Sequence, residues 1–270
     1  MNLLEKKMVD SLIDLKENYN VLAIKAEFEA EGTSFEEAFK LRELTSKAGL
    51  NFSLKIGGCE AIKDMLEAKK ININSLIAPM IESSYALKKF VKAIESIFTE
   101  KEKQNINFLI NIETITGYNN LDKIIFSPEF NNITGITFGR TDMAGSIGLD
   151  KQEINSDKIF QMVDFVSHKM EKLKKDFIIG GSVSTDSLSF FKRLPYLTKF
   201  ETRKVVFDAQ NSLNNKNINE GLLKAIEFEI MWLKYKQNSY NNILKEDNKR
   251  VLMLEKISAK ILEEINCANK

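Results

Sequence analysis

The stretch VLAIKAEFEAEG, from Val21 to Gly32, alternates apolar and charged residues with a period of two, which is the period of side chains along a β-strand. Where helices cover the outside of a sheet, the apolar face packs outward, and the charged face then points into a barrel or towards its mouth. An antiparallel sheet with one face in water is the alternative. The apolar set is Ile24, Ala26, Phe28 and Ala30, and the charged set is Lys25, Glu27, Glu29 and Glu31.

Short apolar runs alternate with longer stretches of helical period along most of the chain. With no Pro- or Gly-rich linker between them, the runs predict a parallel sheet built from βα units. No G-x-G-x-x-G follows the first run, so we favour a closed α/β barrel over an open, doubly wound sheet. A regular barrel has eight strands, which leaves one missing, irregular or hidden in a segment of helical period. The seven runs are VLAIKAEFEA, NFSLKI, SLIAPM, INFLINIE, GITFG, DFIIGG and KFETRKVVF.

The composition gives no sign of a nucleic-acid or membrane partner. The 39 Lys and Arg nearly balance the 38 Asp and Glu, and no stretch reaches the length of apolar residues that a membrane span needs. The first twenty residues mix charges with apolar residues at helical spacing, which is not typical of a signal peptide. Cys59 and Cys267 are too far apart in the sequence for a CxxC motif. We therefore expect a cytoplasmic protein without a disulfide framework or a cysteine-bound metal.

Three parts are expected along the chain: an N-terminal helix over residues 1–20, a barrel over residues 21–210, and a C-terminal helical extension over residues 211–270. The extension is predicted to form two long helices, over residues 218–239 and 246–266. The second carries an apolar stripe at spacings of three and four, which packs either on its own barrel or on a neighbouring subunit. The stripe consists of Val251, Leu254, Ile257, Ile261 and Ile265.

Three further runs separate polar from apolar side chains in the same way. A purely structural barrel interior is filled with branched aliphatic residues. A buried charge is costly unless it is paired or binds a metal, so polar residues at interior positions indicate a functional site. The polar pairs are Ser53 with Lys55, Asn111 with Glu113, and Glu201 with Arg203.

Two carboxylates follow predicted strands directly. Glu113 ends the run INFLINIE, and Asp142 comes shortly after GITFG. Active sites of α/β barrels are built at the carboxyl ends of the strands. Oxygen ligands without a neighbouring His or Cys suit Mg²⁺ or Mn²⁺ that keeps several waters and a chelating substrate. By spacing alone, this pair predicts a metal site, but acidic residues after strands are also common.

Three motifs carry a family resemblance: SLIAPMIESSYALKKF, NIETITGYNNLDKI and GITFGRTDMAGSIG, in this order. They resemble the HpcH/HpaI aldolase and citrate lyase β-subunit family, from about Val21 to Asp150 and more loosely to Phe207. The resemblance implies a modified (β/α)8 TIM-type barrel of the phosphoenolpyruvate/pyruvate-domain type, here with additional C-terminal helices. It also implies that Glu113 and Asp142 are the metal ligands.

The family also holds a 2-oxo acid carboxylate on backbone amides, which correspond here to Gly139, Arg140 and Thr141. An Arg supports the enolate oxygen in the family, and Lys55 stands at the matching position in this chain. The pyruvate aldolases carry a His after the first strand, which this chain lacks. Proton transfer would then fall to Glu27, Glu29 or a metal-bound water, and we take Glu29 as the catalytic choice. Lys25 is assigned a role in binding the substrate.

The resemblance therefore implies a Mg²⁺- or Mn²⁺-dependent carbon–carbon lyase or aldolase that acts through the metal-bound enolate of a pyruvate-like 2-oxo acid. The implied partners are a small 2-oxo acid or a CoA thioester and further copies of the chain in a homo-oligomer. Two alternatives stay open: a lyase of the citryl-CoA or malyl-CoA type, and a non-catalytic barrel that serves binding or assembly.

Overall fold

The computed structural model describes the backbone of residues 1–268 and the side chains of residues 1–258. The chain divides into a first compact unit, Met1–Phe228, and a second unit from Glu229 onward. In the part of the chain that the structure describes, no helix has the length and apolar character that crossing a membrane requires.

Eight strands close into a barrel in the order in which they occur along the chain. The first seven are parallel to one another, whereas the eighth is antiparallel to both of its neighbours. The fold prediction of a modified (β/α)8 barrel is thus confirmed. The strands are β1 (Val21–Glu27), β2 (Asn51–Lys55), β3 (Ser75–Ala78), β4 (Asn107–Ile112), β5 (Gly135–Gly139), β6 (Asp176–Gly180), β7 (Lys199–Glu201) and β8 (Val205–Asp208).

Helices separate the strands, and several begin at a side-chain cap. In the clearest case, Ser34 and Glu37 form a reciprocal capping box at the start of α2. The helices of the first unit are α1 (Leu3–Tyr19), α2 (Phe35–Lys47), α3 (Ile62–Ile71), α4 (Ser84–Ile97), α5 (Glu100–Lys103), α6 (Ile115–Asn119), α7 (Leu121–Ile125), α8 (Arg140–Ser146), α9 (Asp157–Leu173), α10 (Ser187–Lys192) and α11 (Ala209–Asn214). One further helix, α12 (Ile218–Ala268), begins in the first unit and continues into the second.

Strands β7 and β8 correct the interpretation of KFETRKVVF as one strand. The run forms a hairpin, and the amide of Thr202 donates to the carbonyl oxygen of Val205 at its turn. A parallel crossover needs a dozen or more residues, so a connection of three residues forces β8 to run antiparallel. Arg203 is exposed in the turn and does not share a strand face with Glu201.

The C-terminal prediction of two helices is also wrong, because α12 runs without a break from Ile218 to Ala268. No Pro or Gly occurs after Gly221, so nothing in the backbone chemistry interrupts the helix. Of the predicted apolar stripe, Val251, Leu254 and Ile257 are exposed. The other two predicted members, Ile261 and Ile265, lie outside the residues whose side chains are described.

The barrel interior has an apolar part and a charged part. Ile77, Leu109 and Ile178 form a small buried apolar cluster. Lys25 and Lys55, on strands β1 and β2, are also buried. Strand β1 ends at Glu27, so Glu29 and Glu31 lie in the loop that follows it and not on the strand. The charged residues are thus gathered where β1, β2 and β4 end, which is the active-site end of such barrels.

Candidate active site

Glu113 directly follows β4, and its carboxylate is buried and held at both oxygens. Oε1 accepts a hydrogen bond from the amide of Met80 at 3.0 Å, and Oε2 accepts one from Asn111 Nδ2 at 3.0 Å. Met80 has a φ of 46°, an uncommon value for a residue with a side chain, and this conformation places its amide against the carboxylate. Each oxygen of Glu113 keeps a further lone pair for a ligand.

Gly139, the last residue of β5, makes room for Glu113. A Cβ atom at this position would lie 2.7 Å from both the Cβ and the Oε2 atoms of Glu113. Helix α8 begins at the next residue and places Asp142 in its first turn, where it is exposed. Asp142 is close enough for its charge to act on Glu113. The end of β5 therefore sets the position of both predicted metal ligands.

The pKa of Glu113 is raised above its usual value, chiefly by burial. The charge of Lys55 and the hydrogen bonds from Asn111 and Met80 favour the ionised form, but they do not fully offset the burial. The negative charge of Asp142 raises the pKa further. Burial, with a smaller contribution from Asp142, therefore disfavours the ionised form of Glu113.

This raised pKa has a consequence for stability that can be measured. Between the ordinary carboxyl pKa and the raised one, the native state binds more protons than the unfolded state, so stability falls as pH rises through this window. We therefore expect Glu113→Gln to be more stable than the wild type at neutral pH without metal. The difference should vanish at about pH 4 and below, where the group is protonated in both states.

Thermal denaturation in EDTA across this pH range measures the effect of Glu113→Gln. Asp122→Asn is the matched control, because Asp122 is an exposed carboxylate on α7. A Glu113→Gln protein that is less stable than the wild type at neutral pH would contradict the raised pKa of the buried Glu113 carboxyl.

Lys55 and Glu29 lie beside Glu113. The Nζ atom of Lys55 is 2.7 Å from Glu29 Oε2 and 3.7 Å from Glu113 Oε1. Burial alone would lower the pKa of Lys55, but the charges of Glu113, Glu27 and Glu29 raise it above its usual value. Lys55 is thus held as a cation, which can stabilise negative charge but cannot act as a neutral nucleophile.

Three further ion pairs lie near Lys55. The Nζ atom of Lys25 bridges Glu27 Oε1 at 3.0 Å and Glu201 Oε1 at 2.5 Å. These carboxylates raise the pKa of Lys25 against the effect of burial, and Lys25 in turn helps to lower the pKa of Glu27. Lys204, from the turn between β7 and β8, pairs with Glu31 in the loop after β1. These pairs tie the hairpin to the first strand and its loop.

The donor set fits a hard divalent cation. In the described part of the chain, no three His, Cys, Asp or Glu side chains group as a metal site. Glu113 and Asp142 supply two neighbouring carboxylates. Mg²⁺ is commonly held by one or two carboxylates, with water and substrate completing its shell. When all are ionised, nine charged groups at this end carry six negative and three positive charges, and Arg203 in the hairpin turn adds one more positive charge. The nine are Lys25, Lys55, Lys204, Glu27, Glu29, Glu31, Glu113, Asp142 and Glu201.

Two uncharged buried side chains at this end carry an oxygen that has no hydrogen-bond partner in the protein. The oxygens are Asn111 Oδ1 and Thr137 Oγ1, which lie on residues paired in register between β4 and β5. Buried polar atoms are seldom left unpaired. Asn111 also holds Glu113, so these free groups adjoin the carboxylate and are available to a water or a ligand.

The side chain of Arg140 is turned into the protein and not into the site. It is fully buried and donates to the carbonyl oxygens of Gly180 and Gly181, to Asn155 Oδ1 and to Ser187 Oγ. Burial lowers the pKa of Arg140 to about 9. The guanidinium thus fixes the loop after β6 against the start of α8, and only the backbone of Arg140 remains available to a ligand.

A small cradle lies in front of the first amides of α8. Gly181 has a φ of +87°, and a Cβ atom there would lie 2.6 Å from the amide nitrogen of Thr141 and 2.9 Å from that of Arg140. Thr141 Oγ1 is also 3.1 Å from Ser182 Oγ. The absence of a side chain at Gly181 leaves room beside two amide groups.

The structure brings four predicted residues together, Glu113, Asp142, Lys55 and Glu29, and it places Lys25 among the neighbouring ion pairs. Sequence reasoning missed the amide of Met80, for which the motif APMIE gives no chemical signal. It also missed Lys204 and Asn155. Both contacts join segments far apart in the chain, so no local spacing could reveal them. The single histidine, His168, is exposed on α9.

Three solved structures share the fold. A citrate synthase SbnG structure has a TM-score of 0.58 and 13% identity, covering 86% of this chain and 90% of its own. An HpcH/HpaI aldolase/citrate lyase family protein from Burkholderia cenocepacia J2315 has a TM-score of 0.59 and 13% identity, covering 84% and 90%. The HpcH/HpaI aldolase from Desulfitobacterium hafniense DCB-2 has a TM-score of 0.58 and 12% identity, covering 75% and 84%. At these identities the likeness shows the fold alone.

Sequence comparison finds a family similarity over the central part of the chain. No curated protein matches the chain significantly, but residues 56–172 match the profile of the HpcH/HpaI aldolase/citrate lyase family. This range contains Glu113, Gly139 and Asp142 and all three motifs that carry the resemblance, whereas strands β1 and β2 lie before it. Residues 56–172 of the chain are therefore similar to the HpcH/HpaI aldolase/citrate lyase family.

Proposed function

We propose that this protein is a Mg²⁺- or Mn²⁺-dependent carbon–carbon lyase or aldolase that forms the enolate of a pyruvate-like 2-oxo acid. The observation that supports it most is the convergence of Glu113, Lys55 and Glu29 at the carboxyl ends of the strands, with Asp142 acting on Glu113. These residues combine two hard ligands, a fixed cation and a second carboxylate, Glu29, which is paired with that cation. Each is a group that enolate chemistry requires.

Glu113 and Asp142 would hold the cation, with Glu113 oriented by Met80 and Asn111. A bound divalent cation supplies Lewis-acid stabilisation of the negative charge that develops on the substrate oxygen. The cation would also offset the excess negative charge at this end of the barrel. The carboxylate of the 2-oxo acid would lie on the amides of Arg140 and Thr141, in the space that Gly181 leaves open.

Lys55 would stabilise the negative charge of the enolate, and Glu29 would transfer the proton. In the cleavage direction, Glu29 removes the proton of the 4-hydroxyl group, the bond between C3 and C4 breaks, and its electron pair moves into the enolate. Lys55 remains a cation near the enolate oxygen and stabilises its negative charge electrostatically. The proton then returns to C3, which gives pyruvate and an aldehyde. Lys25 would fix the neighbouring carboxylates, since its ammonium is already bound to Glu27 and Glu201.

Release of pyruvate from 4-hydroxy-2-oxo acids tests this function. The protein should be inactive after dialysis against EDTA and should regain activity with Mg²⁺ or Mn²⁺. Activity that persists fully in EDTA would contradict the metal dependence. We further propose that the protein acts in the cytoplasm, as its cysteine usage suggests, and as a homo-oligomer, as its family resemblance suggests.

Gly139→Ala should lower the cleavage rate by about a hundredfold, because a misplacement of about 1 Å in an active site typically has that effect. The added Cβ atom would push against the Cβ and Oε2 atoms of Glu113, each only 2.7 Å away. Gly145→Ala is the matched control, since its added Cβ atom would meet nothing within 4 Å. Steady-state rates with saturating Mg²⁺ measure both variants. Equal rates for the two would show that the position of Glu113 is not critical.

A further inference from the structure

The second unit, from Glu229 onward, is a helix whose side chains are almost all without cover. From Gln237 to Ser258 every side chain is exposed. An isolated helix is only marginally stable in water, because most helical stability in proteins comes from packing an apolar face. Contiguous exposed apolar surface marks an interaction site in a soluble protein. This segment of α12 therefore needs a packing partner.

The apolar residues of this segment follow a heptad repeat. Spacings of three and four, sustained over several turns, are typical of a left-handed coiled coil with apolar a and d positions. The six apolar a and d side chains are between 45% and 58% exposed. We call the eight a and d positions of this segment the seam. The a positions are Ile230, Gln237, Leu244 and Val251, and the d positions are Leu233, Tyr240, Asp247 and Leu254.

We infer that the seam packs against the same segment of a second copy of this chain as an antiparallel coiled coil. In that arrangement a positions face d positions, and the two-fold axis passes near Asn242. Every apolar member of the seam then meets an apolar member, and the two polar members meet each other. The layers are Ile230 with the partner's Leu254, Leu233 with the partner's Val251, Gln237 with the partner's Asp247, and Tyr240 with the partner's Leu244.

A parallel pairing is disfavoured by Asp247. At a d position it would face the partner's Asp247 inside the seam, and like charges that are taken out of water repel strongly. A parallel pair would gain a flanking attraction between Arg250 and the partner's Glu255, but such surface pairs contribute only about 0.3–0.5 kcal/mol. An antiparallel pair brings Lys236 near the partner's Arg250, a surface repulsion of similar size. The buried layer therefore decides the orientation.

The exposed area agrees with a stable dimer. Ile243 and Ile257 flank the seam and are also about half exposed. With the six apolar seam side chains, they expose on the order of 800 Å² on each helix, an upper limit on what pairing buries, and this limit reaches the area per partner of a standard stable interface. The surface is self-complementary, as a two-fold interface requires. This inference does not rest on the proposed function.

The mass of the full-length protein in solution, measured by light scattering after gel filtration, tests the pairing. Leu244→Asp with Leu254→Asp places two charges in the seam and should halve the mass. Leu252→Asp with Met253→Asp adds the same two charges at b and c positions, outside the seam, and should leave the mass unchanged. Circular dichroism verifies that the barrel remains folded in both. A monomeric wild type, or a seam variant with the wild-type mass, would overturn the inference.

Cross-linking tests the orientation in a Cys267→Ser background. A mixture of Tyr240→Cys and Leu244→Cys subunits should form disulfide-linked dimers several-fold faster than either variant alone, because these positions share a layer only in the antiparallel arrangement. Faster cross-linking of Leu244→Cys by itself would show a parallel pair and overturn this part of the inference.

Discussion

Replacing Lys25 with Met is expected to lower the free energy of unfolding by about 3–5 kcal/mol, which is the usual cost of removing one partner from a buried ion pair. Lys25 is buried, and its ammonium bridges Glu27 and Glu201. Without it, two carboxylates remain close together in the barrel with less positive charge to offset them. The large loss comes from these uncompensated charges and not from the lost attraction alone.

Urea denaturation at neutral pH measures this loss. Lys92→Met is the matched control, because Lys92 is exposed on α4 and such surface changes are usually within about 0.5 kcal/mol. The triple variant Lys25→Met, Glu27→Gln, Glu201→Gln removes the charges together and should recover most of the stability. A loss of less than about 1 kcal/mol for Lys25→Met would show that the network has little effect on the fold.

Glu113→Gln and Asp142→Asn should each lower the rate of pyruvate release at least about a thousandfold. The change keeps the size of each side chain but removes the charge that would hold the cation. Lewis-acid stabilisation contributes several kcal/mol, and each 1.36 kcal/mol corresponds to a factor of ten in rate. Asp122→Asn should retain the full rate.

Isothermal titration with Mn²⁺ separates the two possible causes of such a loss. Each site variant should bind Mn²⁺ much more weakly than the wild type, while its circular dichroism spectrum is unchanged. A Glu113→Gln protein that binds Mn²⁺ normally and yet cleaves slowly would assign Glu113 to another role. A variant that cleaves at the wild-type rate would remove Glu113 from the mechanism.

The sequence predicted the barrel because strand alternation and helical period are local signals. It also predicted that Glu113 and Asp142 lie at one end of the barrel, since residues that follow strands meet there; their role as metal ligands stays a prediction. It did not predict the hairpin of β7 and β8. The turn Thr202–Arg203–Lys204 contains no Gly, Pro or Asn, so the alternation appeared to continue through it.

Contacts between distant segments were beyond prediction for a different reason. The pairs Lys25–Glu201 and Lys204–Glu31 depend on barrel closure and on the register of β1 with β8, which no local pattern encodes. The single helix α12 was missed because the polar run NSYNN resembles a boundary. With no helix-breaking residue in it, the run is accommodated as helix.

Deuterium exchange into the methyl group of pyruvate, followed by proton NMR, tests the proposed enolate site most directly, because it needs no knowledge of the aldehyde. We expect exchange in the presence of Mg²⁺ or Mn²⁺, no exchange in EDTA, and no exchange with Glu113→Ala under any condition. If the wild type showed no exchange with either metal, or if Glu113→Ala exchanged as fast as the wild type, the account of this site as a pyruvate-enolate site would be contradicted.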